Sequence, residues 1–220
     1  MDSRQRELYR SAGEGDPEAR AAELGARWRA GELTREEVEL LDYLGEPVAE
    51  LIDAPPDARR WPEELRELRT LSVTPASGRF RLERWPEACM RALWIATRVA
   101  LAAVELGPEE RAALTHVHAL CEGGRRAEGA DVEAQVRGIY EESGSLARRA
   151  IAALFTLLPV SLLRRHDPRE GAAIALTGFE AALGAAGVEA VEGVVRRELI
   201  AWVLAGPASG RDGGGVSGST

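Results

Sequence analysis

Helix-start signals recur along this chain, and no segment alternates apolar and polar residues with period two. A backbone without strand patterning has only helices with which to pair its amides and bury a core. Asp16-Pro17-Glu18 sets a side-chain acceptor ahead of a proline, whose missing N–H costs nothing at the first helical position. Asp167-Pro168-Arg169-Glu170 repeats that start near the C-terminus. Leu33-Thr34-Arg35-Glu36-Glu37-Val38 is a fuller signal: Thr34 and Glu37 have capping-box spacing, and Leu33 and Val38 can close a hydrophobic staple. Val38, Leu40, Leu41 and Leu44 then give a short helix its apolar side, and Gly45 is a natural stop. The chain is predicted to be all-α, a helical-repeat-like array or multi-helix bundle of about nine to eleven helices.

Two of these helices are expected to be central. Along Trp85–Leu106, Glu87, Arg91, Arg98 and Glu105 share one narrow face, and nearly everything else is apolar. So thin a polar stripe requires other helices on the remaining sides. Ser145–His166 is the second, with no charge between Ile151 and Leu163. That run has 13 residues, contains Pro159, and lies between Arg148-Arg149 and Arg164-Arg165. A bilayer span needs roughly 20 apolar residues, so a buried core helix kinked near the proline is expected instead.

A short echo, Arg60-Trp61-Pro62-Glu63 and Arg84-Trp85-Pro86-Glu87, starts a helix twice and ends after four residues. Between the copies, Leu71–Val73 and Thr74-Pro75-Ala76-Ser77-Gly78 read as a loop. The expected organisation is an N-terminal helical module over 1–73, a helical domain over 79–206 and a disordered Gly/Ser-rich tail over 207–220. A single domain over 1–206 is the alternative.

Composition narrows the function. Hydrophobic residues make up 45% and charged residues 29% of 220, enough for an ordinary core without metals or disulfides. The two cysteines, Cys89 and Cys121, argue against a secreted disulfide scaffold, and the charged start MDSRQRELYR lacks the apolar core of a signal peptide. A cytoplasmic location is expected. All 28 basic residues are arginine and there is no asparagine, so a P-loop, a lysine Schiff base and a Cys-His-Asn triad are excluded. The net charge of −8 argues against nucleic acid as partner. The doubled arginines at 59–60, 125–126, 148–149, 164–165 and 196–197 are read as solvated helix faces.

Candidate chemistry is sparse. Thr115-His116-Val117-His118-Ala119-Leu120-Cys121 places His118 and Cys121 on one helix face, and Cys89 or His166 could join them only through the fold. Zinc takes four ligands, or three and water, at recurring spacings, and neither CxxC nor HExxH occurs. No Gly-x-Ser-x-Gly occurs, and the glycine pairs lack a preceding strand. The carboxylates Glu36, Glu37, Glu39 and Asp42, and Glu63, Glu64 and Glu67, are expected on solvated helix faces. The five tryptophans, Trp28, Trp61, Trp85, Trp94 and Trp202, are expected to anchor the core. No catalytic, cofactor or metal residue is therefore assigned.

Asp16-Pro17-Glu18-Ala19, Arg27-Trp28-Arg29-Ala30-Gly31-Glu32-Leu33-Thr34 and Glu39-Leu40-Leu41-Asp42-Tyr43-Leu44-Gly45 together resemble a module of helical proteins from GC-rich bacteria. Arg84-Trp85-Pro86-Glu87-Ala88-Cys89-Met90-Arg91-Ala92 is similar to a second signature of that group, some members of which are similar to immunity proteins of toxin systems. The resemblance implies a helical fold and no catalytic residue. The expected function is a non-enzymatic protein-binding module with a protein partner, an adaptor or a toxin-neutralising protein. The alternative is a ligand- or metal-binding helical protein using His118 and Cys121. Membrane association through the Arg-flanked apolar run is a third possibility, and no membrane contact is expected.

Overall fold

The structure is a computed structural model that describes residues 16–52, 60–61, 63–64, 81–122, 130–163 and 168–205. Its helices start where the capping residues place them. Asp16 Oδ1 accepts from the Glu18 amide at 2.9 Å, opening α1 (Pro17–Arg29). Thr34 caps α2 (Arg35–Tyr43) with a complete box: its hydroxyl accepts from the Glu37 amide at 3.3 Å, and Glu37 Oε2 accepts from the Thr34 amide at 2.7 Å. Leu33 and Val38 are both buried, as the staple requires.

Both helices stop at glycine in the left-handed region, Gly31 at φ 73 and Gly45 at φ 83. The next amides reach back to the last turn, Glu32 to Arg27 O at 3.0 Å and Glu46 to Leu41 O at 2.9 Å. An L side chain is strained at such φ, so glycine is the residue that lets these carbonyls be satisfied. Thr34→Ala is expected to cost about 1 kcal/mol in chemical denaturation, because it orphans one amide and unseats Glu37.

The remaining helices are α3 (Pro86–Ala103), α4 (Pro108–Glu122), α5 (Ala130–Glu142), α6 (Ser145–Leu163), α7 (Pro168–Ala186) and α8 (Val188–Leu204). Single 3-10 turns cover Ala49–Leu51 and Arg81–Arg84, and Trp61, Glu63 and Glu64 are also helical. The described residues contain eight α-helices and no strand.

The chain divides into two compact units. One takes in the described residues up to Pro56 and those from Ile200 onward; the other lies between Asp57 and Leu199. Helix α8 thus contributes to both. In the first unit, Arg20 joins Glu23 and Glu46, each at 2.7 Å. Partial burial acts to lower the Arg20 pKa, but the hydrogen bonds to Glu46 and Glu23 outweigh it and leave it raised. Arg27 Nη2 donates to Leu204 O at 2.7 Å, which ties the end of α8 to α1 within this unit. The boundary expected near Thr74–Gly78 and the tail over 207–220 lie outside the described residues.

The second unit is centred on α3, α6 and α7, each packed against the other two. Helix α3 runs shorter than its pattern suggests, yet ten of its residues are buried while Glu87 and Arg98 stay exposed. Ala150, Ile151, Ala153, Leu154 and Leu157 form the buried side of α6, and the helix continues through Pro159. No described helix is long and apolar enough to cross a membrane. Helix α4 touches α3, α5 and α6, and α5 also touches α6.

Two expectations need correction. Glu64 is not on a solvated face: it is buried, and both its carboxylate oxygens accept from the Arg81 amide, at 2.9 and 3.1 Å. A carboxylate satisfying the open start of the 3-10 turn explains why it tolerates burial. Asp42 is buried as well. Of the tryptophans, Trp61 and Trp85 are buried, but Trp28, Trp94 and Trp202 are only partly so.

Candidate functional site

The face of α4 that turns inward carries Leu114, Val117, His118 and Cys121, spaced three, four and seven residues from the first as one helix face requires. His118 and Cys121 therefore do share a face, and both are buried. His118 lies over Trp94 of α3 with ring centroids 5.0 Å apart and planes 22° apart. Its Nε2 is 2.9 Å from the Trp94 carbonyl oxygen. A carbonyl only accepts, so Nε2 carries the proton and donates, leaving the lone pair on Nδ1.

Burial is the main influence on this imidazole and lowers its pKa from 6.5; the Trp94 carbonyl opposes, Arg98 adds to the lowering, and Glu122 opposes. The unfolded chain consequently binds more protons than the native one below pH 6.5, and the stability supplied by neutral His118 is lost as pH falls through that window. The indole of Trp94 also carries two guanidinium groups, Arg98 at 5.3 Å and Arg91 at 5.8 Å from its centroid. Arg98 is further paired with Glu198 of α8.

Cys89 of α3 is fully buried, and burial together with the nearby Glu83 pushes its thiol far above the usual range. It stays protonated at neutral pH and supplies neither a nucleophile nor a thiolate ligand. His166 lies outside the described residues. Among the described residues, no three His, Cys, Asp or Glu side chains come together to hold a metal ion. The arrangement at α4 binds two helices together, while His116, on the other side of α4, is exposed.

The outer face of α5 has a different character. Glu133, Ala134, Arg137, Gly138 and Glu141 line a shallow depression of about 410 Å³. Val136 is the one fully buried side chain among those described on α5. Arg137 pairs with Glu133 at 2.8 Å with both side chains largely exposed, an interaction worth a few tenths of a kcal/mol at most.

The arginines do work that their spacing does not announce. Arg148 donates to the carbonyls of Tyr140 at 3.0 Å and Glu141 at 2.6 Å, closing the C-terminus of α5. Its neighbour Arg149 donates to Gly184 O near the end of α7 at 3.3 Å. Arg111 bridges Leu101 O at 3.1 Å and Val104 O at 2.9 Å at the end of α3. A planar fork with five donors suits paired terminal carbonyls, and the helix dipole favours the charge there. Arg148 and Arg149 both remain exposed, as expected of a solvated face, and their bonds to helix-end carbonyls are an addition that the sequence does not signal.

The described residues define an all-α protein in which Arg111, Arg148 and Arg149 serve helix ends. The chain matches no protein-family model, no curated protein and no solved structure.

Proposed function

We propose that this chain is a non-enzymatic protein-binding module that acts in the cytoplasm on a basic polypeptide, as an adaptor or a toxin-neutralising partner. The observation that supports it most is the contrast between its two faces. Among the described residues His118, Cys89 and Cys121 are buried and only His116 of the candidate constellation is exposed, whereas α5 presents a charged, shallow face containing Glu133, Arg137 and Glu141. An open depression of that kind suits a polypeptide surface better than a small molecule, which prefers an enclosed apolar pocket. The net charge of −8 would speed encounter with a basic partner and disfavour nucleic acid. On this reading the helices form a repeat-like array or bundle of about nine to eleven members, the usual scaffold for an extended binding face.

The test is quantitative affinity capture from the native host at low and high salt, using bait tagged after Gly206. A Glu133→Arg/Glu141→Arg variant runs in parallel. One polypeptide enriched near stoichiometrically, released by salt and lost in the variant, is the expected result. Bait that enriches nothing would overturn the binding-module reading. A partner retained in full by the variant would move the contact off α5.

A further inference from the structure

Helix α4 is fastened to α3 at two places of unequal chemistry. Near its start, Arg111 donates to the carbonyls of Leu101 and Val104 at the end of α3, a tie made by a planar guanidinium fork. One to three turns further on, the attachment rests on Leu114, Val117, His118 and Cys121. Within this stretch His118 bonds to α3 through Nε2 to Trp94 O, and its ring covers one side of the indole.

We propose that His118 is a proton-operated latch: neutral, it fastens the C-terminal half of α4 to Trp94, and a proton taken up from solvent at Nδ1 releases it. The geometry supplies the reasons. His118 is 5% exposed, so an imidazolium in place would be stripped of most of its water. The indole beneath it already holds Arg98 and Arg91, leaving little cation–π attraction for a third cation. Burial outweighs the Trp94 carbonyl and Glu122 of α4 itself, which favour the imidazolium, and Arg98 repels it from α3. From α5 and α6, the other helices touching α4, no described charged group acts on the ring.

Release also has a compensation. The indole Nε1 of Trp94 is buried with no hydrogen-bond partner among the described residues. Exposing that ring to water restores the missing bond. Arg111 meanwhile holds the other end, so α4 swings and does not detach. The strength of the α4 attachment therefore becomes a function of pH while α3, α6 and α7 remain packed.

The test is hydrogen exchange of the full chain at pH 7.5 and pH 5.0, with intrinsic rates corrected, read by peptide. Exchange in 114–122 is expected to accelerate severalfold at acid pH relative to α3, α6 and α7. His118→Gln keeps a neutral N–H donor, and in it the acceleration is expected to vanish. Acid acceleration of equal size in His118→Gln, or none in the wild type, would overturn the latch. Should that variant fail to fold, nitrogen NMR of His118 in the wild type decides. An Nε2–H tautomer that titrates below 6.5 together with changes in α4 amide signals supports it; titration with unchanged α4 signals refutes it.

Discussion

Trp61→Ala is expected to destabilise the unit between Asp57 and Leu199 by about 3–5 kcal/mol, the upper range for truncating one buried side chain. Trp61 is 2% exposed. Its ring meets Phe179 of α7 edge-on, with centroids 6.0 Å apart and planes at 69°. Its Nε1 donates to Glu192 O of α8 at 3.4 Å. Three losses coincide in the alanine: buried apolar area, the edge-to-face contact and the partner of a carbonyl. Total domain stability is about 5–15 kcal/mol, so at least about a fifth of it goes. In thermal unfolding followed by circular dichroism, the transition should fall by roughly 6–20 °C. Trp61→Phe retains the ring contact and should lose about half as much or less. A shift of under about 2 °C in the alanine variant would mean that Trp61 does not anchor the helices it touches.

Gly178→Val is expected to cost about 3 kcal/mol or more, because α7 crosses α3 and α6 with no room for a side chain. A Cβ at Gly178 would lie 2.7 Å from Leu93 Cδ1 and 3.0 Å from both Cβ and Cγ2 of Thr156. Leu93 is fully buried and cannot swing away, and Thr156 is stiffened by branching and by its hydroxyl, which donates to Ala152 O at 3.0 Å. Alanine gains about 1 kcal/mol of helix propensity and loses about 1–3 to overpacking, so its net effect is a smaller loss. Valine adds two methyl groups to the same collision and forgoes that gain. Gly184 is the comparison. Its added Cβ would meet Arg149 Nη1 at 3.0 Å and Cδ at 3.1 Å, the outer part of an exposed, flexible side chain. Gly184→Ala should be close to neutral. Urea unfolding of the three variants checks the order, and a Gly178→Val protein as stable as Gly184→Ala would contradict the packing at this crossing.

These two sites differ in how visible they are before folding. A buried tryptophan is an expectation for any Trp in a chain with 5% aromatics, yet only Trp61 and Trp85 of the five are buried. Trp94 is equally eligible and instead sits partly exposed beneath His118, Arg91 and Arg98. Gly178 looks like a helix-weakening residue until Leu93, far away in sequence, is placed against it. His118 and Cys121 are read correctly as sharing a helix face, but the carbonyl that holds His118 belongs to α3 and carries no side-chain signature.

What the amino-acid order determines by itself is therefore local. Asp16 before Pro17, Thr34 with Glu37, and the glycines at 31 and 45 set where helices begin and end, because each bond closes within a turn or two of the chain. The apolar faces of α3 and α6 follow from the helical period in the same way. Tertiary structure alone decides the rest: Glu64 at the amide of Arg81, Arg148 and Arg149 on the ends of α5 and α7, and the last turn of α8 held by Arg27. In each of these the acceptor or donor is a backbone group, which every residue possesses, so the side chain's identity does not say where its partner will be. Helix ends expose such groups in any sequence, and only packing brings a particular arginine or glutamate to a particular one.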